Sequence, residues 1–345
     1  MAFAVVAGRR LGTAIRIDER ASVRPSVNRL RTILVRVLAI LVTAGAIWFV
    51  VRGLDRSVLA AALQSARWSL LLLTSCLAVT HLCVRGIGWW IVMGPVPGRS
   101  VSVVEMIRYT IASAAASLLA PFRTAEVLRP WLLRRNHQVP LPQSAGVLLT
   151  DKVVEVLGLA LVALLLPLLG RPLPLPRLQG SLIGAAIAVT LLMGWLAARR
   201  FVRRGGVEGR GTFIKGIRAF NEPRRFAAAL GVSVSAWLID LAAIGCTLAS
   251  FDIHRGLADL ILLLLMVNVA LVLPAAPGNI GSLELGATLG AEYLGVDHSH
   301  AVAFALVYHA AQLAPLVLLG AFGAIQTLVA RSTAGVTPRA PLNPP

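Results

Sequence analysis

Apolar residues in this chain do not alternate with polar ones but come in long runs. The runs near residues 33–51, 70–93, 140–170, 180–198, 226–250 and 300–329 carry few charges. Each is about 18 residues or more, the length at which a helix rising about 1.5 Å per residue crosses a hydrocarbon core of about 30 Å. Two further runs, 109–120 and 260–273, are shorter and end at Pro121 and Pro274. As helices they would span only roughly 18 and 21 Å. Each is followed by another short apolar segment. The pattern predicts an all-α polytopic membrane bundle in which these two runs form re-entrant hairpins, entering the membrane and leaving by the same side.

Charge orients the bundle. Residues 1–36 carry eight Arg and residues 199–225 carry nine Arg or Lys. By the positive-inside rule both segments are cytoplasmic. Six full spans plus two hairpins satisfy this and place both termini inside; eight full crossings keep the same parity and remain the alternative. The first hairpin then enters from the cytoplasm and the second from outside. Opposite entry predicts an inverted repeat, with halves at about 70–198 and 226–330 joined by the basic loop 199–225. The single transmembrane domain is 33–330, between a basic cytoplasmic tail, 1–32, and a disordered tail, 331–345.

Composition removes the competing classes. The chain is 57% hydrophobic with a mean hydropathy of +0.79, which excludes a soluble core. The net charge of +18 is explained by cytoplasmic loops, and nucleic acid is not an expected partner. Cys76, Cys83 and Cys246 lie within apolar runs without paired spacing and read as small packing residues. His298 and His300 form H-x-H with no third ligand nearby, so no metal or other cofactor is expected.

The candidate chemistry lies at the breaks. The stretch "LPAAPGNIGSLELG" holds Pro274, Pro277, Gly278, Asn279, Gly281 and Glu284. Irregular backbone survives at membrane depth only where it is buried in protein or lines a wet cavity. Proline ends a half-helix, glycines permit turns that side chains forbid, and the next helix offers its N-terminus to an anion or polar head. Gly286 and Gly290 form G-x-x-x-G, a small face for close helix packing. The first break, "LLAPFRTAEVLRPWLL", holds Arg123, Glu126 and Arg129. Arginine suits phosphate oxygens bidentately, so these residues with those of the second break are the candidate binding set for a lipid head group. The alternative is that the arginines pair with Glu126, Glu284 or backbone carbonyls.

Charges inside the spans form a second set, read as intramembrane charge or coupling residues. Asp151, Lys152 and Glu155 lie deep in the 140–170 run, with Lys152 and Glu155 at i, i+3. Arg85 shares a helix face with His81, whereas Asp240 and His309 stand alone in their spans. A purely structural ion pair is the rival reading of the 151–155 group, and satisfied packing residues that of the single cases.

Three places carry a family resemblance: "LPAAPGNIGSLE" with the span "AFALVYHAAQLAPLVLLGAFG", the segment "LLAPFRTAEVLRPWLL", and "LLTDKVVEVLGL". Over roughly residues 33 to 330 the chain resembles the lysylphosphatidylglycerol synthase transmembrane, or flippase-like, family. Ala125 departs from the glycine that the family commonly has before the glutamate. No soluble aminoacyl-transferase domain follows within this sequence, so the resemblance implies the lipid-handling portion. The expected function is translocation of a phospholipid or polyprenyl-phosphate-type lipid between leaflets of the plasma membrane, with membrane lipids as partners. A membrane-embedded transferase acting on a lipid-linked substrate is the rival; no nucleotide-binding glycine loop, metal cluster or nucleophile motif supports it. A third reading is a non-transporting partner of a separate lipid-modifying enzyme.

Overall fold

The computed structural model describes residues 56–96, 98, 100–118, 124–170, 206–273 and 276–334, together with Leu41, Ala44, Gly45 and Trp48. The run at 180–198, nearly all of that at 33–51, the outer tails, Arg123 and Pro274 lie outside the described residues. Among the described residues every regular element is helical.

The helices are α1 (Arg56–Ser65), α2 (Trp68–Met93), α3 (Val103–Ala116), α4 (Leu128–His137), α5 (Leu141–Ala163), α6 (Gly206–Gly216), α7 (Pro223–Ser250), α8 (Leu257–Ala270), α9 (Ser282–Tyr293) and α10 (His298–Ala334). Three of them are long and apolar enough to cross a membrane: α2, α7 and the His298–Gly320 part of α10. With 23 residues, α5 is also long, but it carries Asp151, Lys152 and Glu155 at its centre. The two short runs are 14-residue helices, α3 and α8, about 21 Å long. Both start earlier than the apolar pattern suggests, because polar first turns begin them. Ser102 caps α3 through a capping box with Glu105, and Asp259 lies in the first turn of α8.

α2 and α7 form an antiparallel central pair. At one end the Arg67 N–H donates to the Ser250 carbonyl at 3.0 Å, and the Arg67 side chain pairs with Asp252. Just inside that end the Thr74 and Thr247 hydroxyls meet at 3.1 Å, fully buried. At the other end the Arg225 guanidinium lies on Gly94. Lipid tails are as apolar as leucine, so such polar links and close packing hold helices together where hydrophobicity cannot. α5 joins the pair through Gly158, where a Cβ would collide with Ser233, and through Trp237, whose indole N–H donates to the Glu155 carbonyl at 3.0 Å.

Pro315 sits inside α10, and its missing N–H frees the carbonyl of Ala311 four residues earlier. The Ser75 hydroxyl of α2 donates to that carbonyl at 2.8 Å. The proline thus ties two spans together instead of leaving an orphan acceptor in the bundle.

Each short helix is followed by a partner that folds back along it. At the base of the first pair the Asn136 amide donates to the Tyr109 hydroxyl, and His137 lies 3.4 Å from Glu105. This brings the end of α4 beside the start of α3. In the second pair, Gly290 of α9 faces Leu263 of α8, while Gly286 faces Ala270 and the Met266 carbonyl. That is an antiparallel crossing on the G-x-x-x-G face. The first pair is based beside the Gly94 end of α2, and the second follows the Ser250 end of α7. Their tips meet in the interior, where the Gly278 N–H donates to the Ser117 carbonyl at 2.9 Å.

Candidate functional site

A cavity of about 310 Å³ opens where the tips meet. α2 contributes His81 and Arg85, α3 Thr110, Ser113 and Ser117, and α5 Lys152 and Glu155. Glu126 enters from the 3-10 turn Thr124–Val127, and Arg129 from α4 directly behind it. Trp237 and Asp240 come from α7, Asn268 from α8, Gln312 from α10, and Gly278 with Asn279 from the second break. Side chains on both halves of the sequence therefore line one polar space inside an apolar bundle.

Ion pairs run along one wall. Asp151 lies 3.2 Å from Arg85, Arg85 2.8 Å from Glu155, Glu155 2.9 Å from Lys152, and Lys152 3.0 Å from Glu126. Two cations thus serve three carboxylates. The sequence spacing anticipated the Lys152–Glu155 pair; only the fold brings Arg85, 66 residues before Asp151, and Glu126 into it. Lys152 bonded to Glu126 also anchors the first break to α5.

Arg129 is different. It is 93% buried, and its guanidinium carbon lies 4.9 Å over the Trp89 ring. Among the described residues no carboxylate lies within ion-pair distance of it, and its buried Nε has no hydrogen-bond partner. The nearby charge of Asp151 is felt at longer range. A cation held over an indole with a donor unspent can take an anion in the cavity.

The second break is built as its residue types suggest. Gly278, Asn279 and Gly281 take φ of 73°, 62° and 93°, conformations that favour glycine and tolerate asparagine. The role of Asn279 as a turn former was not separable in the sequence from a polar contact. Among the described residues Glu284 meets no arginine. Its Oε2 accepts the Gly281 N–H at 2.8 Å and its Oε1 lies 2.7 Å from His309 Nδ1. His309 Nε2 in turn lies 2.9 Å from the Gly278 carbonyl. These two residues, like Asp151, stand behind the cavity wall. Asp240 is not alone either, since the Tyr308 hydroxyl donates to it at 2.9 Å. Away from the cavity, His298 pairs with Glu292 and His300 with Asp297.

His81, Asn268, Gln312 and the Trp89 platform were not singled out as site residues by sequence reasoning. A lone amide in an otherwise apolar helix is the one signal that could have found Asn268 and Gln312.

A helical bundle with three apolar spans among the described residues and a charged interior cavity defines an integral membrane protein. The chain matches the family described as the lysylphosphatidylglycerol synthase TM region over residues 36–320, and it belongs to that family. No curated protein and no solved structure matches it.

Proposed function

We propose that this protein moves a phospholipid or polyprenyl-phosphate-type lipid between the leaflets of the plasma membrane, with its head group in the cavity and its tails in lipid. The observation that carries this reading is Arg129: a buried cation without a carboxylate partner among the described residues, facing the space where the two chain breaks meet. Family membership supports a lipid-related role. In this reading α3–α4 and α8–α9 are re-entrant hairpins of an inverted repeat, entering from the cytoplasm and from outside. Their antiparallel folding, their bases at opposite ends of the α2–α7 pair and the contact between their tips support it. Two such hairpins would shorten the barrier that a head group must cross.

The arrangement suggests how the anion is received. Arg85 and Lys152 are engaged by carboxylates, so Arg129 makes the first contact with phosphate. Glu126 can then yield Lys152 to a second phosphate oxygen, which loosens the first break from α5. Asn268, Gln312 and Thr110 supply neutral hydrogen-bonding groups along the path.

Leaflet exchange in liposomes, measured with a panel of labelled lipids, tests the proposal. A translocator moves lipid without changing it, a transferase yields a new lipid, and a non-transporting partner does neither. Either of the last two results overturns the reading.

A further inference from the structure

A second groove, of about 600 Å³, lies outside the cavity at the end of the α2–α7 pair. Trp90, Met93 and Val96 form its apolar side, and Arg224 and Arg225 its polar side. Trp90 is 39% exposed, and its indole N–H donates to the Val101 carbonyl at 3.0 Å, which fixes the ring as a wall. Gly94 makes the floor at φ 61°, and a Cβ there would lie 2.6 Å from the Arg225 guanidinium. The absence of a side chain at Gly94 thus lets an arginine lie flat at the groove.

The two arginines are not equivalent. Arg225 is held by Glu222 at 2.8 Å. Arg224 is exposed, and among the described residues it has no hydrogen-bond or ion-pair partner. Both sit in the first turn of the 28-residue α7, so the positive end of that helix adds to their field. In the sequence Arg224 and Arg225 close the 199–225 segment, which carries nine Arg or Lys against two acids, Glu208 and Glu222. A free phosphate ion has no use for a tryptophan and methionine wall at the end of an apolar span. A lipid has use for both sides.

We infer that this groove is a binding site for an anionic glycerophospholipid of the adjoining leaflet, separate from the translocation cavity. Arg224 and Arg225 hold its phosphate, and Trp90, Met93 and Val96 carry the start of an acyl chain. Interfacial tryptophan and juxtamembrane arginine are the residue types that suit such a ligand.

Photo-crosslinking tests this with the full chain in nanodiscs containing phosphatidylglycerol bearing a diazirine near the head of one acyl chain. Adducts mapped by mass spectrometry should fall on the peptide around Trp90 to Val96. Arg224→Gln should reduce them about fivefold, and Arg224→Gln with Arg225→Gln further, as expected for about 1 kcal/mol per arginine near a membrane surface. Arg129→Gln, whose side chain does not line this groove, should leave them unchanged. The site fails if the double variant labels at the wild-type level while remaining folded by circular dichroism. It fails equally if the phosphatidylcholine analogue labels as strongly, or if millimolar inorganic phosphate removes the adducts.

Discussion

His309 bridges the two sides of the second break, with Nδ1 2.7 Å from Glu284 and Nε2 2.9 Å from the Gly278 carbonyl. A carbonyl only accepts, so Nε2 carries a hydrogen, and one more proton lies between Nδ1 and the carboxyl. α10 therefore holds the turn from behind while the front of the turn lines the cavity. Removing His309 leaves both a buried carboxyl oxygen and a buried carbonyl without this partner.

His309→Ala is accordingly expected to destabilise by about 3–5 kcal/mol, the range for breaking a buried pair. Glu284→Gln is gentler. The amide oxygen can still accept from Gly281, and its NH2 can donate to a neutral His309 that keeps its bond to Gly278. Thermal melts should place Glu284→Gln near wild type. Gly278→Val should lose about 1–3 kcal/mol, since a branched side chain is strained at φ 73°. If Glu284→Gln also exchanges lipid normally across pH, the carboxyl serves only to shape the turn.

The arginines lining the cavity should separate by phenotype. Arg85 sits between Asp151 and Glu155; Glu155 keeps Lys152, but Arg85→Gln strands the buried Asp151, at a cost of about 3–5 kcal/mol. Arg129→Gln forfeits chiefly its stacking on Trp89, about 0.5–2 kcal/mol. Its effect should instead fall on lipid exchange, slowed about 10–100-fold by loss of one charge-assisted contact of about 1.5–3 kcal/mol. Exchange at the wild-type rate would remove Arg129 from the head-group path.

Ser75 and Pro315 give a cycle with a clear sign. Ser75→Ala alone should cost about 0.6–2 kcal/mol, because the Ala311 carbonyl loses its donor. With Pro315→Ala the helix regains its own N–H for that carbonyl, and Ser75→Ala should become nearly neutral. Additive losses in denaturation would mean that the hydroxyl does not serve the proline.

Gly286 and Gly290 should differ in tolerance. A Cβ at Gly286 meets the Ala270 Cβ at 2.6 Å and Met266 and Val267 backbone at 2.9 Å. At Gly290 the nearest atom is the tip of Leu263, which can swing away. Gly286→Ala should therefore cost about 1–3 kcal/mol and Gly290→Ala less, as read from melting midpoints.

The hairpin reading predicts one topology result. In a cysteine-free background, His254→Cys and Asp297→Cys should both label with an impermeant thiol reagent from the outside. Labelling from opposite faces would make α8 and α9 part of a full crossing.

What the sequence determined by itself is what depends on composition, length and local backbone chemistry. Runs long enough to span, the two 14-residue helices, the positive φ at Gly278 and Gly281, and the small face at Gly286 and Gly290 all follow from residues near one another in the chain. The tertiary structure decided the partners. Arg85 finds Asp151 and Glu155 on another helix, Glu284 finds His309 rather than an arginine, and Ser75 finds the carbonyl that Pro315 frees. Arg129 looked no different from Arg85 as a residue type, yet one is engaged by carboxylates and the other rests on Trp89. A charge at membrane depth must be paired or face a wet cavity, and the sequence dictates that need. Which group meets it depends on how the helices cross, and that is fixed by packing between segments from 25 to 236 residues apart.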